Sequence, residues 1–265
     1  MQLVDVHCHL DSERLKPDLE GVLARAKASG IKVILSSGVN PPSNRAVLEL
    51  AKKHELIRAS FGIYPLDALG IQPEGIETYL PRQIVPIDVD AELEWIFQHK
   101  DETAAIGEVG LDYKWVKDAE LQARERENFK KIIAAVEKLK KPMIVHSRQA
   151  ELDCIEMLES STLKKIIFHS FTGRKHLVAR IADNGWFFSI PVIVIKLQQF
   201  QDIVKNVPFE QILTETDAPW LGPELGKPNE PANIVLSIKK IAELKGLTPE
   251  ETANLIYMNY QRIFE

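Results

Sequence analysis

Cysteine is scarce in this chain, with Cys8 and Cys154 the only two in 265 residues. They lie far apart and outside any C-x-x-C pattern, which excludes a disulfide framework and leads us to expect a reducing compartment. Positive charge is also in deficit. The formal net charge is −5 and the pI about 5.9, so no overall basic field would hold a nucleic acid, and any such partner must be gripped locally. No apolar run approaches the roughly 18 residues of a membrane span, and no basic segment precedes the first apolar residues. A cytoplasmic location with no membrane partner is therefore expected, and nothing points to an obligate protein partner. Linkers rich in Pro, Gly or Ser, low-complexity tracts and composition shifts are missing too, so residues 1–265 are expected to form one domain.

What the chain does have is apolar material, 45% hydrophobic against 27% charged residues, enough for a large core. It is arranged as eight short runs rich in Val and Ile: "LVDVH", "KVILSSG", "IRASFGIY", "TAAIGEVGLD", "KPMIVHS", "KKIIFHS", "WFFSIPV" and "QILTETDAP". Helical periodicity fills the gaps. From Leu121 to Lys140, for example, Phe129, Ile132, Ile133, Val136 and Leu139 recur at steps of three and four. Alternating strands and helices imply parallel strands joined by right-handed crossovers, and eight repeats at this length close a (β/α)₈ TIM barrel of the α/β class. A doubly wound open sheet is the competing fold. The longest connection, residues 65–89 with Pro65, Pro73, Pro81 and Pro86, is expected to carry a small extra element.

In a barrel the active site is built at the C-terminal ends of the strands, so the residues found there decide the chemistry. The first run ends in His7 and His9, two apart and therefore on one face of an extended chain, with Cys8 turned away toward the core. The fourth run carries Glu108, the fifth ends in His146, the sixth in His169 and the eighth in Glu215 and Asp217. Four of the seven histidines thus gather at one rim; His54, His99 and His176 fall in helical stretches where solvated histidines are common. A single histidine after an apolar run reads as a hydrogen-bonded structural residue. Four with the carboxylates of Glu108 and Asp217 would be a costly cluster of polar groups unless a cation paired with them. Imidazole and carboxylate without thiolate suit Zn²⁺, Mn²⁺, Co²⁺ or Fe²⁺, while Mg²⁺ favours oxygen ligands but stays possible, and a bridging glutamate between histidine-rich pockets suits a pair of ions. Asp217 is placed to touch a metal and to accept a proton from its water. Glu215, one step deeper, would orient a ligand or a water, although Asp-Ala-Pro taken alone reads as a turn opener.

At these residues the sequence resembles the TatD family of metal-dependent deoxyribonucleases, a branch of the amidohydrolase-like barrels. "DVHCHLD" looks like its opening H-x-H motif, "GEVGLDY" like its fourth-strand glutamate motif and "KPMIVHSR" like its fifth-strand histidine motif, while "FHSFTG" and "ETDAPWL" match the sixth and eighth strands. The resemblance implies that His7, His9, Glu108 and Asp217 hold one ion and that Glu108, His146 and His169 hold a second. Glu108 would bridge, and Asp217 would be the general base. "KPNEPANI" is similar to the family's "RNEP" stretch, which implies that Asn229 and Glu230 line the mouth or fix the loop after the eighth strand. One position departs from the pattern. Where the family usually has G-x-H-P, this chain has "GIYP", with Tyr64 in the histidine's place; a phenol there is expected to donate a hydrogen bond to a substrate phosphate.

The expected function is divalent-metal-dependent hydrolysis of phosphodiester bonds in DNA, at single-stranded or 3′ ends, with Asp217 and Glu108 catalytic. Tyr64, Arg148, Glu215 and Asn229 are the expected substrate-side residues, and Lys114, Lys117, Arg148, Arg174 and Lys175 the local basic groups that neutralise phosphates. The same ligands would serve an amidohydrolase or lactonase acting on a small carbonyl substrate equally well. A metal-stabilised scaffold without turnover is the rival from outside the enzymes.

Overall fold

The computed structural model describes residues 1–72 and 83–265. Eight strands follow in chain order: β1 (Leu3–Cys8), β2 (Ile31–Ser37), β3 (Ile57–Ile63), β4 (Ala105–Asp112), β5 (Met143–Arg148), β6 (Ile166–His169), β7 (Phe187–Pro191) and β8 (Ile212–Glu215). Each pairs in parallel with the next. Every residue of β1, β4, β6, β7 and β8 is buried, as expected for parallel strands covered on both faces, and this is why they read as unbroken apolar runs. β8 comes back against β1, where the Thr214 hydroxyl donates to the Val4 carbonyl at 2.8 Å and the Asp217 N–H to the His7 carbonyl at 2.9 Å. The sheet is a (β/α)₈ barrel, and the open doubly wound alternative is excluded.

The helices cover the outside of this ring. The one expected from Leu121 to Lys140 spans Ala119–Leu139, two residues earlier at its start, because the Asp118 carboxylate caps it by accepting from the Glu120 and Leu121 N–H groups, each at 2.9 Å. Phe129, Ile132, Ile133, Val136 and Leu139 form its buried face. The long connection after β3 does carry an extra element, a short helix over Pro65–Leu69. Pro73 and Pro81 lie outside the described residues. Leu66 and Leu69 join Val39, Tyr64, Ile84 and Val116 in a second apolar cluster, separate from the barrel core, and this cluster seats the Tyr64 ring at the C-terminal rim.

Two glycines let the strands close up around the site. A Cβ on Gly110, whose φ is +145°, would lie 1.9 Å from the His146 carbonyl oxygen, and one on Gly62 would lie 2.2 Å from that of Gly38 and 2.3 Å from the Glu108 nitrogen. Only the missing side chain permits these approaches, which bring β3, β4 and β5 together where Glu108 and His146 project.

Candidate metal centre

The C-terminal ends of β1, β4, β5 and β6, with the loop after β8, deliver their ionisable groups to one point. His7 Nε2 lies 3.6 Å from Glu108 Oε2 and 3.5 Å from Asp217 Oδ1; His9 Nε2 lies 3.4 Å and 3.5 Å from the same two oxygens. These separations are long for hydrogen bonds. Ligand atoms held 2.0–2.1 Å from one ion in a tetrahedron stand about 3.4 Å apart, and the four distances from the two imidazoles to the two carboxylates lie close to that spacing. His7 Nε2 is buried and has no hydrogen-bond partner among the described residues, a state that costs about 1–3 kcal/mol unless something coordinates it. The opposite nitrogens are already engaged: His9 Nδ1 bonds the Ser37 carbonyl at 2.9 Å and His7 Nδ1 the Ser37 hydroxyl at 3.0 Å. Ser37 thereby turns both Nε2 lone pairs inward.

The other oxygen of the same glutamate faces a second set. Glu108 Oε1 lies 2.7 Å from His146 Nδ1 and 3.1 Å from His169 Nε2, and those two nitrogens are 3.2 Å apart. Glu108 thus divides its two oxygens between two groups of imidazoles, the geometry a bridging carboxylate needs. Burial pushes the Glu108 carboxyl up, but His169 and His146 outweigh it and hold the group well below the usual carboxylate range. Asp217 is likewise held low against its burial, by His7 and His9. Burial lowers His7; His146 is pushed up to about 9, the Asp112 and Glu108 carboxylates overriding its desolvation. Two carboxylates kept ionised among buried imidazoles demand positive charge, supplied either by protons on the rings or by divalent ions in their place.

Comparison with known proteins identifies the family of the chain that carries this cluster. The model of the TatD related DNase family matches residues 4–265. The chain belongs to the TatD family. It is accordingly an enzyme that hydrolyses ester bonds. Among its relatives, the deoxyribonuclease TATDN3 of Homo sapiens is 32% identical over 265 residues, covering 99% of this chain and 94% of the relative. The metal-dependent hydrolase YcfH of Escherichia coli is 32% identical over 273 residues, covering 100% and 96%. The solved structure of YJJV, a TatD homologue from Escherichia coli, superposes with a TM-score of 0.84 at 22% identity over 99% of this chain and 97% of that one, which speaks for the fold.

The remaining expected residues of this TatD chain divide. Tyr64 does not offer its hydroxyl proton to the mouth of the site: the residue is 7% exposed and its OH donates to Asp112 Oδ2 at 2.9 Å. A buried carboxylate draws in donors more strongly than open solvent does. Glu215 is fully buried, with Oε1 accepting from the Ser170 N–H and hydroxyl at 2.8 Å and 2.6 Å and Oε2 from the Ser189 hydroxyl. Its Oε1 stands 3.8 Å from His169 Nδ1, so it backs a histidine and does not line the mouth. Arg148 ends β5 beside Trp115, its guanidinium 6.0 Å from the ring centre, and Lys114 Nζ lies 5.3 Å from the same ring. Lys117 is taken up by the Tyr113 carbonyl and Gln149, and Lys175 by Asp202; Arg174 opens the helix Lys175–Asp183. Sequence reasoning missed Ser37 and Asp112, whose Oδ2 lies 3.1 Å from His146 Nε2.

Asn229 is fully buried, and its amide donates to the Thr216 carbonyl at 2.8 Å while its own carbonyl accepts from Asn233 at 2.8 Å. Glu230 beside it takes Arg25 of the helix Leu19–Ser29 at 2.6–3.0 Å. Both therefore pin the loop that carries Asp217. Asn229→Ala should lower stability by about 1–3 kcal/mol, the cost of buried partners left unsatisfied, read as a lower urea midpoint. A residue that only touched substrate would instead raise KM and leave that midpoint unmoved.

Proposed function

We propose that this TatD chain, acting as one catalytic domain over residues 1–265, is a divalent-metal-dependent deoxyribonuclease that cleaves phosphodiester bonds from single-stranded or 3′ ends of DNA. The observation that carries the reading is the division of Glu108, one oxygen toward His7 and His9 and the other toward His146 and His169. Two ions of the Zn²⁺, Mn²⁺ or Mg²⁺ class, when bound there, lower the pKa of water and offset charge on the attacking and leaving oxygens of an in-line displacement. Asp217, 14% exposed at its side chain and held ionised, accepts the water's proton. Arg148 and Lys114 at Trp115 offer cations and a ring face to the strand approaching the rim, the local grip that an acidic protein needs. Two free, buried cysteines are in keeping with a cytoplasmic setting; among the described residues no helix is long and apolar enough to cross a membrane.

The test is a metal-titrated activity panel of single-stranded DNA, duplex DNA, RNA, a simple phosphodiester, a lactone and an amide, joined to elemental analysis. Purified protein should carry about one to two divalent ions per chain, and stripping them should abolish DNA cleavage. Protein that takes up neither Mn²⁺ nor Zn²⁺ on dialysis, or that turns over a lactone or amide and no DNA, would sink the proposal.

A further inference from the structure

Asp112 ends β4 fully buried, and its two oxygens tie three segments together. Oδ1 accepts the Lys114 and Trp115 N–H groups at 3.0 Å and 3.3 Å, fixing the turn after β4. Oδ2 takes the Tyr64 hydroxyl at 2.9 Å and faces His146 Nε2 at 3.1 Å. The other nitrogen of that ring, Nδ1, belongs to the second ligand set, 2.7 Å from Glu108 Oε1. A histidine that ligates through Nδ1 must carry its proton on Nε2, and Asp112 is the acceptor that fixes this tautomer and the ring plane.

Tyr64 adds to that arrangement in two separable ways. Its ring meets the His146 ring edge-on, with centres 5.0 Å apart, and its hydroxyl holds the carboxylate oxygen that His146 uses. Packing alone would need only the ring. We propose that Tyr64 is a positioning residue for the second ion: its hydroxyl, acting through Asp112, holds His146 in the ligating orientation and so sets affinity at the Glu108–His146–His169 site. The first site has its own orienting device, because Ser37 turns His7 and His9 and the loop after β8 carries Asp217. The inference rests on the two-ion reading above and deepens it by naming what governs the second ion.

Full-length protein stripped of metal and titrated with Zn²⁺ against a chromophoric chelator tests it. The wild type should bind two ions of different affinity. Tyr64→Phe keeps the ring and should weaken the second by about tenfold, and Asp112→Asn by up to about a hundredfold, the range for loss of a partner behind a ligand. The first affinity should stay within about twofold in both variants, a selectivity that general loosening of the fold would not give. Tyr64→Phe that binds the second ion as the wild type does, or that weakens both ions equally, overturns the relay. A wild type that binds a single ion overturns it together with the two-ion reading, which separates the two failures.

Discussion

Asp217→Asn should lower kcat on a DNA oligonucleotide by roughly 10²–10⁴-fold while the barrel melts as the wild type does. The backbone explains why the fold survives. Asp217 sits at φ +54°, in the left-handed region that asparagine enters about as readily as aspartate, and its N–H bond to the His7 carbonyl at 2.9 Å does not involve the side chain. The chemistry explains why activity does not survive. His7 and His9 hold the carboxylate ionised against its burial, so it can take a proton and offer negative charge to a cation; an amide can do neither. Steady-state kinetics paired with a thermal melt would check both halves, and a variant turning over at the wild-type rate would show that Asp217 is not the proton acceptor.

The candidate ligand set is legible in the sequence because barrel strands are buried on both faces, so polar groups stand out at their ends. His7, His9, Glu108, His146 and His169 each close or interrupt an apolar run, and in the structure all five converge. Asp112 is equally open to the same reasoning. It lies four residues beyond Glu108, on the same face of a strand with period two, but the motif "GEVGLDY" is read for its glutamate and gives the aspartate no role. Ser37 gave no signal, since a serine in "ILSSG" has no pattern that marks it as the residue behind two imidazoles. Tyr64 departs from its expected role for another reason, while Asn229 takes the loop-fixing one of its expected roles. Where a hydroxyl or amide points depends on a partner brought in by folding: Asp112 from the next strand for Tyr64, the Thr216 carbonyl across the loop for Asn229. The helix begins at Ala119, two residues before the expected Leu121, because hydrophobic spacing marks the buried face, while the Asp118 cap that opens the helix is polar.

Glu108→Gln should have a wider consequence than a change confined to one candidate ligand set, since the two oxygens of Glu108 reach both sets. Its Oε2 stands 3.4–3.6 Å from His9 and His7 and its Oε1 2.7–3.1 Å from His146 and His169. The amide keeps the shape but loses the charge, and whichever way it turns, an NH₂ group faces one set of imidazoles with no lone pair to offer a cation. The affinity lost at that set should exceed the roughly 10–100-fold that removing a partner behind a ligand costs, and the other set, left with a neutral oxygen, should weaken as well. Turnover on DNA should fall at least as far as in Asp217→Asn. Metal content distinguishes this from the neighbouring variants. His146→Ala removes a ligand from the second set alone and Asp217→Asn from the first alone, so each should keep about one tightly held ion, whereas Glu108→Gln should keep none after dialysis against chelator. A Glu108→Gln protein that retains one tightly bound ion under those conditions would mean that the carboxylate serves a single site and bridges nothing.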